Sequence, residues 1–123
     1  MKRIIISIKK EYVDKIISGE KKYEFRTRVA KSDISKIIIY CTIPTKKVVA
    51  EAEIVGVLAM SKDQLWEETS KHAGISKDSF MKYFEKNDTA YAYKLGKITV
   101  FDKKKDLIDY GVKWAPQSFV YIT

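Results

Sequence analysis

Hydrophobic residues recur along the chain in two periods, which predict six strands and three helices. Residues 3–9 and 36–42 are nearly continuous β-branched runs, typical of buried strands. Apolar positions three and four residues apart, such as Phe80, Tyr83 and Phe84, predict amphipathic helices. The predicted strands are 3–9, 22–28, 36–42, 47–60, 89–101 and 114–122, and the predicted helices are 10–18, 62–73 and 77–86.

Small and polar residues mark where these elements end. Gly19 and Gly74 follow the last apolar residues of two helices, where a left-handed residue commonly ends a helix. Ser61 and Ser76 are placed to cap the two later helices. Glycines inside two of the predicted strands predict bulges at Gly56 and Gly96. The stretches 29–35 and 102–113 are predicted to be loops.

The order of elements predicts the fold class. The order β-α-β-β-β-α-α-β-β lacks the strict strand–helix alternation of doubly wound folds. We therefore expect an α+β fold, a mixed β-barrel of about six strands with two or three helices packed at its ends. The 123 residues predict a single domain over 1–123.

The charge of the chain adds a candidate partner. Lys and Arg number 24 against 16 Asp and Glu, which gives a formal net charge of +8. Only three of these cations are arginines, and two of them, Arg26 and Arg28, lie in one short stretch. Lysine serves solubility and general attraction to polyanions, whereas the arginine fork holds a phosphate or carboxylate in one orientation. The simpler alternative is that the two arginines lie close together by chance in a lysine-rich chain.

Several classes of protein are not supported by the sequence. The basic start with the broken apolar run 4–6 does not predict a secretory leader, and no stretch approaches a membrane span, so we expect a cytoplasmic protein without membrane contact. Nucleotide-cradling glycine loops are absent. The single Cys41 predicts a buried free thiol, and the lone His72 has no ligand spacing around it. We therefore expect neither a metal site nor a cofactor.

The stretch with the most chemistry lies on the predicted strand 22–28. Strand alternation places Tyr23 and Phe25 on one face and Glu24 and Arg26 on the other, with Arg28 following them. Together with Lys21, these polar residues combine donors and an acceptor, a set that can hold a nucleobase edge and a phosphate. A lysine with a lowered pKa can also act as a base. The same alternation is equally consistent with an exposed salt-bridge ladder on an outer strand.

The motif Gly19-x-Lys21-x-x-Glu24-x-Arg26 resembles that of the ASCH domain. The order of strands and helices, and the closing Ala115-Pro116-Gln117-Ser118-Phe119, are also similar to small stand-alone ASCH proteins. The resemblance covers essentially the whole chain. It implies a PUA-like barrel with a cleft that binds RNA or another nucleic acid.

One bacterial branch of that family hydrolyses N4-acetylcytidine with a lysine, a threonine and a glutamate. By resemblance, Lys21 matches the lysine, Glu53 best matches the glutamate, and Glu24 occupies the threonine position. A carboxylate is a poorer acyl acceptor than a hydroxyl, so the chain departs from that route. Glu24 can instead act as a base for water while Lys21 stabilises the oxyanion. Lys21, Glu24 and Glu53 are thus the candidate catalytic residues.

Further residues are candidate ligand contacts, each with a plain structural alternative. Ser7 and Lys9 share a face of the first strand, which by resemblance lines the cleft. Tyrosines such as Tyr40 and Tyr91 can stack on bases, although most tyrosines in small barrels are core or rim residues. The complete predicted binding set is Ser7, Lys9, Lys21, Glu24, Arg26, Arg28, Tyr40, Tyr91, Gln117 and Ser118.

Three functions follow from these observations. The first is a nucleic-acid-binding domain, for RNA in particular, with a nucleotide-sized cleft. The second is a small amidohydrolase acting on N4-acetylcytidine or a related modified nucleoside. The third is a nucleotide-sensing domain without catalysis. Binding that weakens steeply with salt distinguishes the first, and turnover distinguishes the second.

Overall fold

A six-stranded mixed sheet and three α-helices make up the fold in a computed structural model that describes residues 2–30 and 33–122. The strands are β1 (Lys2–Ile8), β2 (Tyr23–Arg26), β3 (Ile34–Cys41), β4 (Lys47–Met60), β5 (Ala90–Lys105) and β6 (Phe119–Ile122). The helices are α1 (Lys10–Ser18), α2 (Lys62–Thr69) and α3 (Lys77–Tyr83), with short 3-10 helices at Ser70–His72 and Leu107–Tyr110. The predicted α+β class and the order of elements are confirmed.

The sheet has the strand order β2-β5-β4-β3-β1-β6. β1 and β3 are parallel, and the other neighbouring strands are antiparallel. Within the described residues, β2 and β6 are the two edges and no backbone ladder joins them. The sheet is therefore barrel-like but open.

The C-terminal part of the chain differs from the prediction. The last strand covers only Phe119–Ile122 and not 114–122. Pro116 lacks a backbone N–H for a strand ladder, and the residues before Phe119 form a loop. β5 in turn continues to Lys105, where it pairs with Val48, so the predicted loop 102–113 was wrong at its start.

Other boundaries moved by a few residues. β2 ends at Arg26 and not at 28, and α3 ends at Tyr83 and not at 86. α2 ends at Thr69, and the rest of the predicted helix is the 3-10 turn. β3 begins at Ile34, inside the predicted loop 29–35; positions 31 and 32 of that loop lie outside the described residues.

Caps and bulges follow the local sequence signals. The Ser61 and Ser76 hydroxyls accept hydrogen bonds from the backbone N–H groups of Gln64 and Ser79, as capping requires. The pairing of β4 with β5 shifts register around Ile54. Gly96 sits at this irregularity, where an added Cβ would lie 2.6 Å from Val55, so glycine allows the close approach of the two strands.

Two apolar clusters lie beside the site described below. The first packs α1 against the sheet and includes Ile4, Ile6, Val13 and Ile16, all buried. The second packs α2 and α3 against β2 and β5. Its aromatic centre is Phe25, Phe80 and Phe84, whose rings meet edge to face. Phe25 thus anchors the edge strand β2 in the second cluster.

Candidate functional site

A cavity of about 400 Å³ opens where the end of β1, helix α1, strand β2 and helix α3 meet. Its volume lies within the range of small-molecule sites, roughly 300–1,000 Å³. The lining side chains are Ser7, Ile8, Lys9, Tyr12, Lys21, Glu24, Phe25, Arg26, Ile75, Ser79, Lys82 and Tyr83.

Lys21 is the most unusual residue of this cavity, because it is a lysine with only 4% of its surface exposed. Gly19 caps the C-terminal end of α1 with a left-handed φ of 89°, and the Lys21 N–H then donates to the Lys15 carbonyl over 3.0 Å. The Lys21 Nζ donates to the Ala73 carbonyl over 2.7 Å. It also lies 4.7 Å from the ring centroid of Phe25, close enough for a cation–π contact.

Burial changes the acid–base behaviour of Lys21. The pKa of Lys21 is lowered from 10.5 to about 8, chiefly by desolvation; Glu24 opposes this shift, and the charges of Lys15 and Arg26 contribute to it. Near neutral pH the amine is therefore mostly protonated, with a substantial neutral fraction. Such a group can neutralise a ligand's negative charge and can also accept a proton.

Glu24 and Arg26 form a nearly buried ion pair beside Lys21. Arg26 donates to the Glu24 Oε2 from Nε over 3.1 Å and from Nη2 over 2.7 Å. The same Nη2 donates to the Ser7 carbonyl over 2.9 Å, so the pair also connects β2 to β1, which are not neighbours in the sheet. These bonds use neither Glu24 Oε1 nor Arg26 Nη1, and both residues line the cavity. This arrangement departs from the exposed salt-bridge ladder that was the alternative.

The mouth of the cavity is positively charged and partly aromatic. Lys9 and Lys82 line the cavity and are both exposed. Tyr83 is 45% exposed at the end of α3, and Ser79 lies one turn earlier on the same helix. The cavity thus has a polar, charged interior and a rim that can contact both an anion and a flat ring.

Five of the predicted binding residues line this cavity together: Ser7, Lys9, Lys21, Glu24 and Arg26. Three others, Arg28, Gln117 and Ser118, line a second cavity formed largely by the C-terminal segment. The predicted set is therefore divided between two neighbouring places.

Three predicted residues lie elsewhere. Tyr40 is buried among Ile5, Ile38 and Val48 in a third apolar cluster. Tyr91 is half-buried on β5 opposite Arg26 but does not line the cavity. Glu53 is exposed on β4, opposite Lys36 in the backbone register with β3, and it does not line the cavity; the ion pair of Lys36 is with Glu51.

Sequence reasoning missed the contribution of α3 and of the turn before it. Tyr83 and Ser79 were not among the candidates; Tyr83 was predicted only as part of the apolar face formed with Phe80 and Phe84. Gly74 was predicted only as a helix stop. An added Cβ there would lie 2.5 Å from the Lys21 Cβ, so the Gly74 backbone packs directly on the lysine side chain. No local pattern indicates that contact.

Neither a metal-binding cluster nor a membrane-spanning helix is present in the described residues. No group of three or more His, Cys, Asp or Glu side chains in residues 2–30 and 33–122 is arranged to hold a metal ion. Across the same residues, no helix has the length and apolar character to cross a membrane.

The chain is similar to parts of several known proteins. It is 31% identical over 103 residues to the large ribosomal subunit protein uL22 of Ureaplasma parvum, covering 84% of this chain and 33% of that protein. It is 33% identical over 95 residues to the ASCH domain-containing ribonuclease of Zymomonas mobilis, covering 76% of this chain and 64% of that protein. The chain thus spans about a third of the first relative and under two thirds of the second.

Solved structures and a family profile agree on the classification. The crystal structure of ASCH from Zymomonas mobilis superposes with a TM-score of 0.89 at 27% identity, covering 98% of this chain and 87% of that one. A single-residue variant of the same protein gives a TM-score of 0.90 at 26% identity, covering 100% and 91%. The family profile of the ASCH domain matches residues 6–100. Since that match covers most of the sequence, the chain belongs to the ASCH domain family.

Proposed function

We propose that this protein binds RNA in the cytoplasm and that one nucleotide enters the cavity lined by Lys21, Glu24 and Arg26. The observation that carries the proposal is the nearly buried Glu24–Arg26 pair, whose carboxylate and guanidinium belong to residues that line the same cavity as the buried Lys21. A carboxylate next to a guanidinium can read the donor and acceptor groups on the edge of a nucleobase.

The rim of the cavity supports a nucleotide rather than a neutral ligand. Lys9 and Lys82 place two exposed cations at the mouth, where they can contact phosphates. The formal net charge of +8 provides a long-range attraction for a polyanion. Tyr83 adds a half-exposed ring on which a base can stack.

Equilibrium binding of a short single-stranded RNA tests this proposal. Lys21→Met keeps the length of the side chain and removes its charge, so we expect at least a tenfold loss of affinity at low salt. Lys104→Ala is the matched control, because Lys104 is exposed on β5 and lines neither cavity. Equal affinity of Lys21→Met and the unaltered protein would contradict the proposal.

A second candidate function is RNA cleavage in the same cavity. It is favoured by the 33% identity to a protein named a ribonuclease and by the pKa of Lys21 near 8. In this scheme the neutral Lys21 amine accepts the proton of a ribose 2′-hydroxyl. The 2′-oxygen attacks the adjacent phosphorus, and the 5′-oxygen leaves and takes up a proton.

An oligonucleotide with a single ribose in a deoxyribose strand tests the cleavage proposal. We expect cleavage on the 3′ side of that ribose. The all-deoxy strand should not be cleaved, and Lys21→Met should show no cleavage. Cleavage that persists in Lys21→Met would remove Lys21 from the reaction.

The other two functions expected from the sequence remain proposals with less support. The amidohydrolase route uses a glutamate matched to Glu53, which lies outside the cavity, although Glu24 remains available to activate water. Incubation with N4-acetylcytidine would release cytidine and acetate if that route operates. A sensing domain would gain thermal stability from a free nucleotide without any turnover.

A further inference from the structure

A second cavity, of about 1,050 Å³, lies beside the C-terminal loop. Its wall includes Arg28, Lys113, Trp114, Gln117 and Ser118. Trp114 is 80% exposed, the highest exposure among the large apolar residues that the structure describes as exposed. An exposed indole in one cavity with two cations provides a face on which a base can stack and charges that can contact phosphates.

The two cavities are neighbours. Ser7 lines the first cavity and Pro116 lines the second, and the Ser7 hydroxyl donates to the Pro116 carbonyl over 2.6 Å. Arg26 of the first cavity and Arg28 of the second are two residues apart, which is at most roughly 7 Å of chain. Lining residues of the two cavities are therefore in direct contact through Ser7 and Pro116.

We propose that the second cavity binds the nucleotide adjacent to the one held by Lys21, with its base stacked on Trp114 and its phosphate on Arg28. This inference rests on the proposed RNA binding, and it adds a second site on the same strand. The cation and the indole belong to different segments, one following β2 and one preceding β6, so the site forms only in the folded chain. The protein would read at least two consecutive nucleotides.

The dependence of affinity on RNA length tests the second site. Mononucleotides and the corresponding trinucleotides are titrated against the unaltered protein, Trp114→Ala and Arg28→Ala. We expect trinucleotides to bind more tightly than mononucleotides, and Trp114→Ala to lose roughly 5- to 150-fold of trinucleotide affinity with mononucleotide affinity unchanged. Arg28→Ala should lower the salt slope for the trinucleotide by about 0.7.

Ile108→Ala is the matched control, because Ile108 is an apolar residue 63% exposed on the preceding 3-10 helix and lines neither cavity. Trinucleotide affinity that is the same in Trp114→Ala, Ile108→Ala and the unaltered protein overturns the second site while the first remains. If neither mononucleotides nor trinucleotides bind the unaltered protein, the proposed RNA binding and the second site are both overturned. Melting temperatures of the variants identify any loss of affinity that comes from unfolding.

Discussion

Gly74 and Lys21 are in direct contact, with the glycine backbone lying against the lysine stem. A Cβ added at Gly74 would come within 2.5 Å of the Lys21 Cβ, 2.7 Å of Cγ and 3.0 Å of Cδ. Gly74 also has a φ of 65°, which side-chain-bearing residues rarely adopt. The turn before α3 thus fixes the lysine from one side, while the carbonyl of Ala73 fixes its amine.

Gly74→Ala should therefore lower the free energy of unfolding by more than a glycine substitution that adds only backbone strain. Gly111 is the matched control, since its φ is 75° and no atom lies within 4 Å of an added Cβ. We expect Gly111→Ala to lower the free energy of unfolding by about 1 kcal/mol, and Gly74→Ala by roughly 2–4 kcal/mol through the added clash. Chemical denaturation measures both. Equal losses would show that the contact with Lys21 carries no energy.

The lowered pKa of Lys21 gives the stability a specific pH dependence. Between pH 8 and 10.5 the unfolded chain binds more protons at this lysine than the folded one, so the free energy of unfolding rises with pH. Below pH 8 the lysine is charged in both states and the full cost of burying the charge is present. Lys21→Met has no such cost, so it should be as stable as the unaltered protein or more stable at pH 7.

That advantage of Lys21→Met should shrink by up to about 3 kcal/mol as the pH rises from 8 to 10.5. Denaturant titrations at pH 7 and pH 10, with the exposed Lys104→Met as the control, measure the change. If the difference in the free energy of unfolding between Lys21→Met and the unaltered protein stays constant with pH, the lowered pKa of Lys21 is contradicted.

The Glu24–Arg26 pair should be strongly coupled. Arg26→Met leaves Glu24, with 6% of its surface exposed, without its counter-charge, and we expect a loss of roughly 2–4 kcal/mol. Adding Glu24→Gln should restore part of that loss, because the uncompensated charge is removed.

A double-mutant cycle measures this coupling in the free energy of unfolding. The exposed pair of Lys10 and Asp14, 2.8 Å apart with side chains 52% and 59% exposed, provides a matched cycle with an expected coupling of about 0.3–0.5 kcal/mol. If the Glu24–Arg26 coupling is no larger than this, the pair is only a surface salt bridge.

Lys9 and Lys82 should contribute phosphate contacts at the cavity mouth. Each Ala substitution should reduce the slope of log affinity against log salt for single-stranded RNA by about 0.7. Lys104→Ala, away from both cavities, should leave that slope nearly unchanged. Equal slopes for all three variants would indicate diffuse attraction by the whole lysine surface.

Local sequence patterns predicted the facing of the central motif well. Alternation over β2 placed Glu24 and Arg26 on one face and Tyr23 and Phe25 on the other. In the structure Glu24 and Arg26 form an ion pair that lines the cavity, while Phe25 belongs to the apolar cluster with Tyr23 packed against it, and the Phe25 ring also forms part of the cavity wall. The same reasoning works for helix caps and bulges, because the determining residues are neighbours in sequence.

Contacts between segments that are distant in the chain could not be predicted from the sequence patterns. The hydrogen bond from Lys21 to Ala73 joins residues 52 apart, and no periodicity encodes it. Tyr40 was a candidate for stacking, yet it belongs to an apolar run that the sheet buries on the side away from the site. The extent of β5 depends on its pairing with Val48 of β4, which the residues of β5 do not reveal.

The most direct test of the central claim is a map of RNA-induced changes in backbone amide NMR shifts. The account predicts that a short single-stranded RNA first perturbs the amides of Ser7, Lys21, Arg26 and Ile75, which surround the cavity. Perturbations confined to the lysine-rich end of β5 at 103–105, with the cavity amides unmoved, would contradict it.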